Sequence, residues 1–369
     1  MKTVWNTMPY WLRLICWNMV LCIVTLSSAH AVVQPPLSCN FSKTFSKFFN
    51  DPLPQTAGQG ADVKIWERTD TGPFNELILS WNAYRPKRGK MTIWVSVKHS
   101  DWSRWHRLAQ WSPDHQQTFV NKLDRFVHTK HVLVEMQRNV LARGFRVKVT
   151  FEGGADHHSL KALFACASNM KLFNLARPSV NNPTVLVSGV PKQSQMVLKH
   201  PRFADLCSPT ATSLIVNYFM KKEPGAQVNT NLHDYVIDFA DKVLDKGYLD
   251  IYGNWLLNVA HAYHASKGNV FFRVERLNSF NDLYQYLQRK VPVAVSVRSL
   301  RGGATPYRNG HFMVVVGWNR ATRSVICIDP AFPRTMNTLK SYKIWDFLKA
   351  WARSRNLSYI PLPKLSVLS

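Results

Sequence analysis

The chain has 369 residues, 46% of them apolar and 19% charged, with 47 Lys and Arg against 22 Asp and Glu and a formal net charge of +25. That apolar content excludes an intrinsically disordered chain, and the length suits two domains, each with its own core. The basic excess favours contact with acidic polymers, anionic lipid head groups or cell-envelope polyanions. No helix-turn-helix, RNA-binding or zinc-finger signature accompanies it, so no specific nucleic acid is expected.

In chain order, residues 1–31 read first as a secretory signal peptide. Lys2 and Arg13 flank a run ending in Leu21-Cys22-Ile23-Val24-Thr25-Leu26, and Ala29-His30-Ala31 supplies a small-x-small cleavage site. The run is interrupted by Asn18 and falls short of the roughly 20 residues of a spanning helix, so no transmembrane anchor is expected after cleavage. The protein is expected to be secreted or periplasmic.

Residues 32–176 read as an all-β accessory domain. Leu77–Trp81, Met91–Val97, Val132–Met136, Phe145–Phe151 and Leu160–Phe164 are strand-like, and the fourth alternates apolar with polar side chains. Turn signals at 86–89, Arg143-Gly144 and Gly153-Gly154 separate them, which predicts a β-sandwich of jelly-roll type. Trp66, Trp81, Trp94, Trp102, Trp105 and Trp111 crowd this region. Trp81 and Trp94 sit inside strand patterns and are expected in the core, while Trp102, Trp105 and Trp111, in or near a turn, are the candidates for a ligand face.

Residues 177–185 lack periodicity and carry two prolines, marking a linker. From 186 to 369 the order is a helix at 208–220, a mixed helical region at 234–266, a strand at 270–274, a helix at 280–289, a strand at 291–297, and a hairpin running from His311 to Asp329. Helices first and an antiparallel sheet after them indicate an α+β domain.

The chemistry lies in that second half. Ala211, Leu214, Ile215, Tyr218 and Phe219 mark one apolar helix face, and Pro209 suits a first turn, so Cys207 stands at the positive end of a helix, where a thiolate is favoured. His311 opens a strand, and Asp329 closes the return strand of a short hairpin, within reach of His311 if the register cooperates. A thiol, a base and a carboxylate in this order are what nucleophilic hydrolysis requires. Tyr252-Gly253-Asn254-Trp255 either shapes a cleft or caps a helix, and 301–304 forms a loop beside the site. His261 and His264 share a helix face without a third ligand and are read as core or solvated groups.

Four cysteines follow the signal peptide: Cys39, Cys166, Cys207 and Cys327. Pairing Cys39 with Cys166 would close a loop worth about 4–5 kcal/mol in the chain-entropy model, and Cys327 reads as a buried apolar filler. The four lack the paired spacing of a structural zinc site, so no metal or other cofactor is expected.

Cys207-Ser208-Pro209-Thr210 at a helix start, Tyr252-Gly253-Asn254-Trp255, Gly310-His311 on a strand and Asp329-Pro330, in that order, resemble the C-terminal domain of secreted bacterial cysteine peptidases of the bacteriocin-processing-like (peptidase C39-like) family, in the papain-like superfamily. The resemblance runs from about Val190 to about Ile360. It implies a papain-like fold, a catalytic triad of Cys207, His311 and Asp329, and a substrate cleft that includes Asn254, Trp255 and Gly310. In papain-like enzymes a Gln about six residues before the nucleophile completes the oxyanion hole; Pro201 stands there, and Gln195 is the donor expected in its place, ahead of Gln193. Such peptidases often carry a β-sandwich before the catalytic domain.

The expected function is a secreted cysteine peptidase cleaving peptide or isopeptide bonds through a thioester acyl-enzyme, with a peptide or protein substrate and an acidic or glycan-bearing envelope surface as partner. The alternative is a non-catalytic envelope- or carbohydrate-binding protein that keeps a papain-like scaffold.

Overall fold

A computed structural model of the chain describes residues 40–49, 63–175, 181–226 and 228–364. The signal peptide at 1–31, Cys39 and residues 177–180 of the expected linker lie outside them. Among the described residues no helix is long and apolar enough to cross a membrane.

The first half holds strands β1 (Ser42–Phe48), β2 (Val63–Arg68), β3 (Glu76–Ala83), β4 (Lys90–Lys98), β5 (His106–Trp111), β6 (Gln116–Thr118), β7 (Val120–Asn121), β8 (Val127–Lys130), β9 (Leu133–Met136), β10 (Gly144–Glu152) and β11 (Leu160–Ser168). They form two sheets, ordered β1-β11-β3-β9-β8-β7 and β2-β10-β4-β5-β6, with antiparallel pairing throughout. Alternation explains the arrangement: along β10, Phe145, Val147, Val149 and Phe151 are buried while Arg146 and Lys148 face outward. The two inward faces meet where Phe45 packs on Phe145 and Trp81 on Trp111, both edge to face.

Two expectations for this half are corrected. Trp111 is 1% exposed and fills the core between the sheets, so it presents no ligand face. Trp94 has the opposite fate: it alternates outward on β4 beside Lys148. Cys166 is a buried free thiol, hydrogen-bonded to Ser42 Oγ and the Arg276 N–H, and the proposed partner Cys39 lies outside the described residues. Register brings Thr44, not a cysteine, opposite Cys166.

The second half runs β12 (Val185–Leu186), α1 (Cys207–Met220), α2 (Leu232–Asp241), α3 (Trp255–Ala265), β13 (Val270–Arg276), α4 (Phe280–Gln288), β14 (Val293–Val297), β15 (His311–Asn319), β16 (Ser324–Ile328), β17 (Leu339–Lys343), α5 (Ile344–Ala352) and β18 (Leu357–Pro363). The strands form one antiparallel sheet ordered β13-β18-β14-β15-β16-β17, with β12 on β15. Spacing predicts one apolar face for α1, yet Ser208 to Met220 are all buried, because the helix lies between the sheet and helices α2 and α3. Its polar side chains are satisfied locally: Thr212 Oγ1 donates to Ser208 O and Ser213 Oγ to Thr210 O.

The described residues from Asn40 onward make one compact unit, and polar side chains stitch its two halves. The Asn82 amide brackets Phe272, donating to its carbonyl at 2.6 Å and accepting its N–H at 2.7 Å. Arg276 pairs with Glu76 in a buried ion pair, and Thr118 donates to the Asp245 carboxylate.

Candidate active site

The first turn of α1 is short of acceptors for its N–H groups, as every helix start is. Its N-cap, Leu206, makes no side-chain cap bond, so Cys207, the first helical residue, sits beside uncapped N–H groups in the positive field of the helix end. The preceding turn, Phe203–Asp205, is fixed by Gln195, whose amide donates to the carbonyls of Ala204 at 2.7 Å and Phe203 at 3.1 Å.

His311 opens β15 opposite Val297 of β14. Gly310 enters the strand at φ +98°, a conformation suited to glycine. An irregularity between Val315 and Gly317 sets the β15–β16 register, with Val314 opposite Ile328, and Asp329 follows directly after β16. From there its Oδ1 meets His311 Nε2 at 2.7 Å. The other ring nitrogen, Nδ1, is left free of the carboxylate, and the nearby Cys207 side chain favours the protonated imidazole.

Asp329 is 0% exposed, and both of its oxygens are doubly engaged. Oδ1 also accepts the Ala331 N–H at 3.1 Å, and Oδ2 accepts the hydroxyls of Tyr307 at 2.8 Å and Tyr342 at 2.6 Å. Burial pushes this carboxyl up, but the His311 charge and these donors outweigh it and leave it below the usual carboxylate range. Burial likewise pushes His311 down, yet Asp329 and the Cys207 sulfur outweigh it and raise the imidazole to about 9. The pair is therefore carboxylate and imidazolium at neutral pH. Both other described thiols are raised by burial, Cys166 further by Glu275 and Cys327 by Asp329, so neither competes as a nucleophile.

Cys207, His311, Gln195, Trp255 and Gly310 all border one open cleft of about 770 Å³, whose rim carries Arg298 and Arg308. The sequence placed these five together. Asn254 is corrected: it is 0% exposed, its Oδ1 caps α3 at the N–H groups of Leu256 and Leu257, and its amide bonds Asp245 and Thr118. It braces the helix that presents Trp255 and does not line this cleft. Gln195 reaches the cleft with its amide hydrogens already on two carbonyls and its buried Oε1 without a partner. Gln193 is buried and bonds Ser194 O. His261 is buried against Phe239, and the half-buried His264 accepts the Arg85 N–H at Nδ1.

Tyr307 and Tyr342 carry no sequence signal. Tyr307 comes from the loop before β15 and Tyr342 from β17, and only the folded register brings both onto Asp329. In that loop, a Cβ on Gly303 would lie 2.4 Å from the Tyr307 ring, so the close approach needs glycine.

Residues 187–359 match the Peptidase_C39 like family. A crystal structure of a Bacillus anthracis protein described as a C39-like peptidase is similar at 14% identity and a TM-score of 0.35, covering 50% of this chain and 99% of that one. No curated protein matches the chain significantly.

Proposed function

Residues 187–359 belong to the Peptidase_C39 like family, and from that premise we propose that the chain is an exported cysteine peptidase in which Cys207 is the nucleophile, His311 the general acid and base, and Asp329 the group that orients His311. The observation that carries this reading is that Cys207 and His311 line one open cleft, with His311 held from behind by the buried, four-times-bonded Asp329 carboxylate.

In the first half-reaction the Cys207 thiolate attacks the scissile carbonyl carbon. A C–S bond forms, and the carbonyl oxygen takes negative charge. The Cys207 backbone N–H faces that oxygen, with the Gln195 amide as second donor once it yields one of its two carbonyl bonds. The Nδ1 proton of His311 passes to the departing nitrogen, the C–N bond breaks, and a thioester remains. Water then adds to the thioester while His311 takes its proton; the C–S bond breaks, releasing the acid and restoring the thiolate and imidazolium. Isopeptide bonds satisfy the same chemistry.

The strand orders β1-β11-β3-β9 and β2-β10-β4-β5 support reading the first half as a jelly-roll sandwich. The export reading rests on the first 31 residues. Labelling with a thiol-directed electrophile, followed by mapping of the adduct, tests the site assignment. One adduct at Cys207 that disappears in His311→Ala is the expected result; modification of Cys207 at an equal rate without His311 removes the assigned base.

A further inference from the structure

The outward face of the β2-β10-β4-β5-β6 sheet carries a row of cations laid on indoles. The Arg146 guanidinium lies 4.7 Å from the ring centre of Trp102 and 4.6 Å from that of Trp105. The Lys148 ammonium lies 4.8 Å from Trp105 and 5.2 Å from Trp94, and that of Lys98 lies 5.7 Å from Trp102. The segment bearing Trp102 and Trp105 is held down on this face: Ser103 N–H donates to Val97 O at 2.9 Å, Ser96 Oγ donates to Ser103 O at 2.7 Å, and Trp102 bridges Lys98. Arg146 and Lys148 alternate outward from one strand, which spaces them by roughly 7 Å.

Such an array is unusual in what it lacks. Among the described residues, Lys98, Arg146 and Lys148 make no ion pair and no side-chain hydrogen bond, and Arg146 Nε is buried without an acceptor. Glu67, opposite Arg146 on β2, makes no ion pair with it. Ile65, opposite Lys148, is 59% exposed and extends the apolar floor. Indoles fix these cations in place at little conformational cost on binding, and their charge stays uncompensated.

We propose that this face binds an acidic polysaccharide, with Arg146, Lys148 and Lys98 pairing to carboxylates borne on successive sugar rings. A rigid chain with regularly spaced anions matches fixed cations, and its apolar ring faces suit the indole edges and Ile65. Single-stranded nucleic acid needs open aromatic faces for its bases, and here those faces carry cations. The face is separate from the catalytic reading and stands or falls without it.

Titration of the full chain with alginate, followed by tryptophan fluorescence, tests the proposal, with polyglutamate and oligo-deoxythymidylate as rival polyanions. Alginate is expected to bind at least tenfold more tightly than either rival and to weaken steeply with salt, since screening reaches about 10 Å at 0.1 M. Arg146→Gln with Lys148→Gln is expected to lower alginate affinity at least tenfold with an unchanged unfolding midpoint and unchanged cleavage of a small peptide. Trp102→Leu is expected to weaken binding similarly, and if that variant unfolds, the glutamine pair alone decides. Equal or tighter binding of polyglutamate or the oligonucleotide, no alginate binding at low salt, or full alginate affinity in the glutamine pair overturns it.

Discussion

Tyr307 lies nearly flat on the His311 imidazole, ring centres 4.0 Å apart and planes 16° from parallel, while its hydroxyl bonds the same Asp329 that holds that imidazole. One side chain thus shields the His–Asp pair from water and supplies part of the carboxylate's hydrogen bonding. Tyr307→Phe keeps the stack and removes the bond. A hydrogen bond to a charged group is worth about 1.5–3 kcal/mol, so a loss of kcat of roughly tenfold is expected with KM little changed. The donor holds the Asp329 pKa down, so the acid limb of the kcat profile should move to higher pH. An unchanged acid limb would make Tyr307 mere packing.

The upper edge of the pH profile belongs to His311. Its pKa is raised from 6.5 to about 9 by Asp329 and Cys207 against the opposing effect of burial. Since protonated His311 is the acid that releases the amine, activity should fall as pH rises through about 9. The same shift contributes stability that is fully present below about 6.5, the unfolded value, and is lost as pH climbs through about 9. In Cys207→Ala the sulfur's contribution is gone, so the His311 pKa followed by NMR should drop. A His311 pKa that stays the same in that variant contradicts the coupling of Cys207 to His311.

Asp329→Asn and Cys327→Ala separate chemistry from packing two residues apart. The amide cannot hold the His311 tautomer and charge, and a loss of roughly 10³- to 10⁴-fold in kcat is expected by analogy with the serine triad. Cys327 is fully buried with no role in the mechanism, and its truncation should cost about 1 kcal/mol of stability with activity kept. Equal activity losses, both with lowered unfolding midpoints, would make the hairpin structural.

Asn254→Ala tests the corrected assignment. Losing the α3 cap costs about 1–2 kcal/mol, and the buried Asp245 carboxylate loses a donor at 2.8 Å. The unfolding midpoint should fall while KM for a small peptide holds; a raised KM with unchanged stability would restore Asn254 to substrate binding.

The sequence exposed what local pattern controls. Strict alternation placed β10, a proline in the first turn placed the start of α1, and the hairpin reading put Asp329 within reach of His311, where the two are bonded. It could not expose what distant pairing controls. Tyr307 and Tyr342 reach Asp329 only through the register set near Val315 and Gly317. Asn254 is buried because Thr118, 136 residues earlier, packs on its amide. Trp94, read as core from its strand pattern, and Trp111, read as a ligand-face candidate near a turn, exchange those places because the fates of both follow from which side of β4 and β5 meets the opposite sheet.

The central claim, that Cys207 carries the substrate's acyl group, is tested most directly by intact-mass measurement during turnover of a peptide ester, alongside Cys207→Ala. The account predicts a transient acyl adduct on the wild-type chain that maps to Cys207, and neither adduct nor hydrolysis in the folded Cys207→Ala variant. Undiminished hydrolysis in that variant, or an adduct at another residue, would contradict it.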